Sequence, residues 1–250
     1  MKNSICIPAF FRGRSFEDSV RCIAHYGFHA AELWDWQDLD LQKSREALQE
    51  NRVDLVTMCT TEFRMTDPAF RSAWLQGLQR SCEAGAVLGT KLLITQVGPD
   101  TGEDRKKQHD SIVEALVQAG PVLEAYGLTL VIEPLNTFFD HPGYYLTSSK
   151  EGAEIVREAG QPRVRMLFDI YHQQIMEGNL IPDITEELDC IAHFHAAGHP
   201  GRHELESGEI NYHRIFREID RLGFTGYVGL EYFPEMAPEQ SLMDFRRHYL

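Results

Sequence analysis

The fold class this sequence predicts is α/β, a single (β/α)₈ TIM barrel, and three observations predict it. Apolar runs of four to eight residues recur along the chain, separated by longer segments with helical periodicity, which is the alternation of repeated βα units on a parallel sheet. Eight such runs are present. The length of 250 residues is that of one barrel and suffices to bury a large core without disulfides, so residues 1–250 are read as one domain. A doubly wound open sheet would give similar alternation, but no GxGxxG or GxxxxGKS/T follows a strand.

The predicted strands are SICIPA (4–9), AAELW (30–34), DLVTMC (54–59), KLLITQV (91–97), LTLVIE (128–133), VRMLFD (164–169), IAHFH (191–195) and YVGLE (227–231). Helix signals fill the intervals. Phe70, Trp74, Leu78 and Cys82 recur every fourth residue, and Ile112, Ala115, Leu116, Ala119, Val122 and Leu123 make one apolar stripe. Ser148 with Glu151 reads as a capping box opening the helix through Val156, and Asn211 caps the helix that carries Ile215, Phe216, Ile219 and Leu222. Gly27, Gly89, Gly127, Gly160 and Gly223 each stop a helix just before the next strand.

Charge and cysteine content narrow the function. The chain has 24 basic and 38 acidic residues, a formal charge of −14, which repels phosphate backbones and anionic membrane surfaces. A nucleic-acid partner is therefore not expected. Five scattered cysteines, Cys6, Cys22, Cys59, Cys82 and Cys190, form no CxxC pair, as expected of reduced thiols in a cytosolic protein, and four of them lie in or beside apolar runs that read as core. No signal-peptide core is visible in MKNSICIPAF, and no stretch approaches the ~18 apolar residues of a membrane span. A cytoplasmic protein acting on a small molecule is expected, with association into a homo-oligomer left open.

The candidate chemistry lies at four strand ends. Glu133, Asp169, His195 and Glu231 close successive apolar runs at intervals of 36, 26 and 36 residues, about one strand–loop–helix–loop unit each. In a barrel these tips surround one opening, where three carboxylates and an imidazole make a divalent-metal site. Such a mostly hard donor set accepts Mg²⁺, and its nitrogen favours Mn²⁺ or Co²⁺. His172 follows Asp169 by three residues, where the chain turns over the barrel mouth. The segment HFHAAGHPGRHELESGEINYH (193–213) packs five histidines beside Arg202, Glu204, Glu206 and Glu209. His193 reads as hydrogen-bonded inside the barrel, His199 and His213 as surface, and His203 as equally placed between surface and substrate. Arg202 suits a substrate carboxylate, with an ion pair to Glu204 or Glu209 as its competing role. Trp34, Trp36, Phe10 and Phe11 fall at the same barrel end, where they either stack on a substrate or serve as loop or subunit packing.

The motifs IEPLNTFFDHPGYYL, FDIYHQQIMEGNL, PGRHELESGEINY and GYVGLEYFP resemble, in order, those of hydroxypyruvate isomerases within the xylose-isomerase-like TIM barrels, a group that also holds 3-oxo-tetronate isomerases and ketose 3-epimerases. The likeness is strong over residues 128–235 and weaker before them. It implies that Glu133, Asp169, His195 and Glu231 bind one divalent metal ion, that Glu133 and Glu231 double as the acid/base pair, and that His172 and Arg202 face the substrate. Two departures stand out. HFH replaces the HVQ segment usual in hydroxypyruvate isomerases, placing His195 at the third ligand as in the ketose 3-epimerases, and ELWDWQDLDL replaces an ELFP-type segment.

The expected reaction is isomerisation of a small hydroxy-carbonyl acid through an enediolate, with 3-epimerisation or isomerisation of a free ketose as the alternative. A carboxylate alone is too weak a base for a C–H proton, so the chemistry needs a cation to stabilise the enediolate and two glutamates to move the proton. A metal-dependent endonuclease on the same barrel would present a basic face, which the charge of −14 opposes. A non-catalytic sugar-binding barrel would not need two glutamates flanking a metal.

Overall fold

A computed structural model describes residues 2–250. Its eight strands are β1 (Lys2–Cys6), β2 (Ala30–Leu33), β3 (Asp54–Cys59), β4 (Leu92–Thr95), β5 (Thr129–Ile132), β6 (Val164–Asp169), β7 (Ile191–Ala196) and β8 (Tyr227–Leu230). All neighbours pair in parallel, and β8 returns to β1, closing the barrel. The intervening helices are α1 (Ile7–Phe10), α2 (Phe16–His25), α3 (Leu41–Asn51), α4 (Arg71–Leu88), α5 (Arg105–Tyr126), α6 (Ser149–Ala159), α7 (Ile170–Met176), α8 (Leu180–Glu187), α9 (Tyr212–Arg221) and α10 (Pro238–Tyr249). Among the described residues no helix is long and apolar enough to cross a membrane.

Local sequence explains the element ends. Gly27, Gly89, Gly127, Gly160 and Gly223 all take positive φ, the left-handed turn that ends a helix at little cost only for glycine. Ser148 accepts the Glu151 N–H and Asn211 accepts the Arg214 N–H. The Glu151 carboxylate does not complete a capping box; it pairs with Arg105 and accepts the Tyr145 hydroxyl instead. The first strand is shorter than SICIPA suggests. It stops at Cys6, and α1 begins at once with Pro8 in its first turn, where a fixed helical φ and a missing N–H cost nothing.

The main core lies between strands and helices, with Trp74, Leu78 and Cys82 of α4 and Ile112, Leu116 and Leu123 of α5 buried. Phe70, expected on the α4 stripe, precedes that helix and is partly exposed. A separate small cluster of Ile94, Val131 and Leu167 comes from β4, β5 and β6. Register then sets the site: Asp169 lies opposite His195, and His195 opposite Gly229.

Candidate active site and metal centre

Asp169 ends β6 and also caps α7. Its Oδ1 accepts the N–H groups of Tyr171 and His172 at 2.7 and 3.1 Å, which leaves Oδ2 for the barrel mouth, 3.9 Å from His195 Nδ1. Glu133 follows β5, its carbonyl oxygen accepting the Tyr144 hydroxyl at 3.1 Å. His195 Nδ1 lies 3.6 Å from Glu133 Oε1 and 3.3 Å from Glu231 Oε2. One donor atom from each of Glu133, Asp169, His195 and Glu231 lies within 4.8 Å of all the others, and all four residues are buried. Two of these atoms, Glu133 Oε1 and His195 Nδ1, are buried without any hydrogen-bond partner. Desolvated polar atoms left unpaired are costly, and unpaired acceptors converging on one point, mostly oxygen with one nitrogen, fit a divalent cation.

The electrostatics follow from burial and from the crowding of acids. Burial pushes Glu133 and Asp169 above the ordinary carboxylate range, against the pull of His195. Burial acts on Glu231 in the same direction, but His195 and Arg202 overcome it and hold that carboxyl well below its ordinary value. Glu231 is the most heavily bonded member of the set. Trp34 donates its indole N–H to Oε1 at 2.6 Å, and Arg202 bonds Oε2 through Nη2.

Arg202 therefore pairs with neither Glu204 nor Glu209, the partners weighed from sequence. Its Nε donates to the Glu231 carbonyl at 3.4 Å and its Nη1 lies 3.6 Å from Asp140. The residue sits at φ 60°, a conformation that costs a non-glycine residue about 1 kcal/mol or more and persists only where surrounding bonds fix it. Here the Phe233 N–H holds its carbonyl at 2.8 Å while the guanidinium is tied to acids.

His172 is buried, and its Nδ1 accepts the Asn136 N–H at 3.3 Å, with the Asn136 amide nitrogen 2.6 Å away. That arrangement puts the ring proton on Nε2, which makes no hydrogen bond and lies 3.6 Å from Asp169 Oδ2. Burial, with the nearby Arg202, pushes the imidazole well below the ordinary histidine value. His172, Arg202, Glu133 and Glu231 border a cavity of about 370 Å³, which is also lined by Trp34, Trp36, Thr61, Phe63, Gln96 and His141.

Other sequence candidates lie elsewhere. His203 is outside the cavity lining; its Nδ1 bonds the Phe233 carbonyl at 2.8 Å and its Nε2 lies 3.8 Å from Glu235. Phe10 and Phe11 are buried, Phe10 against Tyr232 with ring centroids 4.6 Å apart, so they pack the core and do not face the cavity. Cys59, read as a core thiol, lines the cavity. His193 is inside the barrel as expected, but its partner is Glu32 of β2 at 2.8 Å. Glu32 also takes His195 Nε2 at 2.8 Å and the Ser4 hydroxyl. Sequence reading missed Glu32, Asp140 and His141. Glu32 alone carried a signal, an acid inside the otherwise apolar AAELW.

The chain closes a parallel barrel with an acid-rich cluster that could hold a metal ion at the C-terminal ends of its strands, and its relatives place it in the isomerase class of enzymes. The chain belongs to the xylose isomerase-like TIM barrel family, which it matches over residues 20–248. It is 34% identical to the 2-oxo-tetronate isomerase of Haemophilus influenzae, with 97% of each chain covered. It is 29% identical to the hydroxypyruvate isomerase of Escherichia coli, covering 91% of this chain and 90% of that one. Among solved structures, the protein described as AP endonuclease, family 2 from Brucella melitensis superposes with a TM-score of 0.94 at 26% identity over 99% of both chains. The D-psicose 3-epimerase of Clostridium cellulolyticum shares the fold at a TM-score of 0.82 and 19% identity, over 99% of both chains.

Proposed function

We propose that the chain is a metal-dependent isomerase of a small hydroxy-carbonyl acid, interconverting hydroxy-ketone and hydroxy-aldehyde forms by proton transfer between Glu133 and Glu231. The observation that carries this reading is the convergence of Glu133, Asp169, His195 and Glu231 within 4.8 Å, with Glu133 and Glu231 also on the cavity wall. Those four residues would hold the ion, Mn²⁺, Mg²⁺ or Co²⁺. When bound, the ion supplies positive charge opposite the substrate oxygens on which an enediolate develops.

The chain's own groups do the rest. One glutamate takes the proton from the hydroxyl-bearing carbon beside the carbonyl, the other returns a proton to the former carbonyl carbon, and the hydroxyl proton passes to the former carbonyl oxygen, so one carbon is oxidised, its neighbour reduced and nothing is oxidised overall. Trp34 and Arg202 fix the orientation of Glu231. His172 presents an Nε2–H to a substrate oxygen, its tautomer set by Asn136. Trp34 and Trp36 contribute aromatic surface to the cavity lining, suited to stacking on a substrate. The acid substrate is supported by the hydroxypyruvate and 2-oxo-tetronate isomerases among the relatives.

A second reading, 3-epimerisation or isomerisation of a free ketose, is favoured by one observation: Arg202 is already engaged by Glu231 and Asp140, while the cavity lining offers neutral polar groups on Thr61 and Gln96. The deciding experiment incubates hydroxypyruvate, four-carbon oxo-acids and free ketoses with the Mn²⁺-loaded protein in D₂O and follows deuterium entry. Exchange into an acid is expected. Exchange confined to ketoses would establish the second reading, and no exchange into any of them would defeat both.

A further inference from the structure

We propose that Glu32 is the positioning residue of the metal centre: clamped by Ser4 and His193, it accepts the Nε2 proton of His195 and so turns that ring's Nδ1 toward Glu133, Asp169 and Glu231. The inference rests on the reading of those four residues as ligands. Its own support is the hydrogen bonding beneath them. An ionised carboxylate only accepts, so the 2.8 Å contact from His195 Nε2 to Glu32 Oε2 places the ring proton on Nε2. Nδ1 is then the ring nitrogen left to face the three acids: it is buried and unpartnered, 3.3 to 3.9 Å from them, and its proton is the one a cation would replace.

Glu32 cannot move away from this task. Its Oε1 accepts both Ser4 Oγ and His193 Nε2, while Oε2 is given to His195. Room for the carboxylate exists because β8 carries Gly229 at that point, where a Cβ would overlap it. Glu32, His193 and His195 themselves have suitable atoms for an ion, but their mutual contacts are already hydrogen bonds with protons in place. A histidine ligand whose remote N–H is held by a carboxylate is oriented and made more basic, and loss of such a partner costs about 10–100-fold in metal affinity.

The test uses the full chain stripped of metal and titrated with Mn²⁺ alone, following free Mn²⁺ by electron paramagnetic resonance. Glu32→Gln, which leaves one acceptor oxygen for three donors and removes the charge that makes His195 more basic, is expected to weaken Mn²⁺ binding by about 10–100-fold while circular dichroism shows a folded barrel. Binding within about twofold of the parent would overturn the proposal while leaving the metal reading intact, whereas a parent that takes up no Mn²⁺ would remove both. A second measurement needs no variant. In ¹⁵N-histidine-labelled parent protein loaded with diamagnetic Zn²⁺, His195 should show a protonated Nε2 and a coordinated Nδ1. The reverse assignment would overturn the role of Glu32, including in the case where Glu32→Gln does not fold.

Discussion

Arg202 illustrates how one residue serves two demands. Its guanidinium is nine-tenths buried, holds Glu231 through Nη2 and approaches Asp140 at 3.6 Å, yet it also borders the cavity. Arg202→Ala should therefore lower kcat/KM on every substrate, because a buried carboxylate loses its partner. On an acid it should lose a further ~1.5–3 kcal/mol, about ten- to a hundredfold. Measuring both substrate classes in one preparation separates the effects, and equal losses would remove Arg202 as a reader of carboxylate. Glu133→Gln and Glu231→Gln should each abolish deuterium exchange, since an amide keeps the shape but cannot cycle a proton. Near-normal exchange in a metal-loaded variant would release that glutamate from the acid/base role.

At the scale of elements, the strand ends were legible because each couples an apolar run to a polar terminus, a pattern that survives without any knowledge of pairing. Glu133, Asp169, His195 and Glu231 are of this kind. Glu32 was not, because it lies inside β2, and only the closure of β1 onto β8 reveals that its neighbours are Ser4 and Gly229. Thr61, Gln96 and His141 belong to connections after the strands, where no periodicity reports which way a side chain turns. Helix ends hold a further feature that sequence does not announce. Glu187, the last residue of α8, is buried with both carboxylate oxygens unpartnered. Burial pushes its carboxyl up to about 7, with Ser149 opposing and Asp183, Glu177 and Glu186 adding to the rise.

The sign of its effect is fixed by that direction: between the unfolded value near 4.5 and about 7 the fold binds the proton more tightly than the unfolded chain does. This contribution to stability is therefore present in full below pH 4.5, declines as pH rises toward 7 and is absent above. Glu187→Gln should flatten the decline and raise stability at pH 8 by on the order of 1–3 kcal/mol, up to what a shift from 4.5 to about 7 implies. Denaturant melts at pH 5 and pH 8 test this, and a variant whose pH dependence parallels the parent's would refute it.

For the molecule as a whole, the barrel is both scaffold and source of electrostatic tension. The chain carries a net −14, and β5 through β8 bring three carboxylates to one point with His195 and Arg202 as the nearby positive or protonatable partners. Like charges held this close oppose the compact state, and a divalent cation that binds the folded barrel and not the unfolded chain relieves them. Chelation should thus have two readouts. Deuterium exchange should vanish, and the melting temperature should fall, with Mn²⁺ at a hundred times its Kd restoring about 2.7 kcal/mol. For a chain of this size that amounts to roughly 5–10 °C, at about 2–4 °C per kcal/mol. Glu133→Gln separates the two, since removing one carboxylate should raise the melting temperature of the metal-free protein while leaving it unable to exchange protons. Full turnover by demonstrably metal-free protein, or a melting temperature indifferent to Mn²⁺ at any concentration, would mean that these four residues are tied together by protons and hydrogen bonds and do not form a cation site.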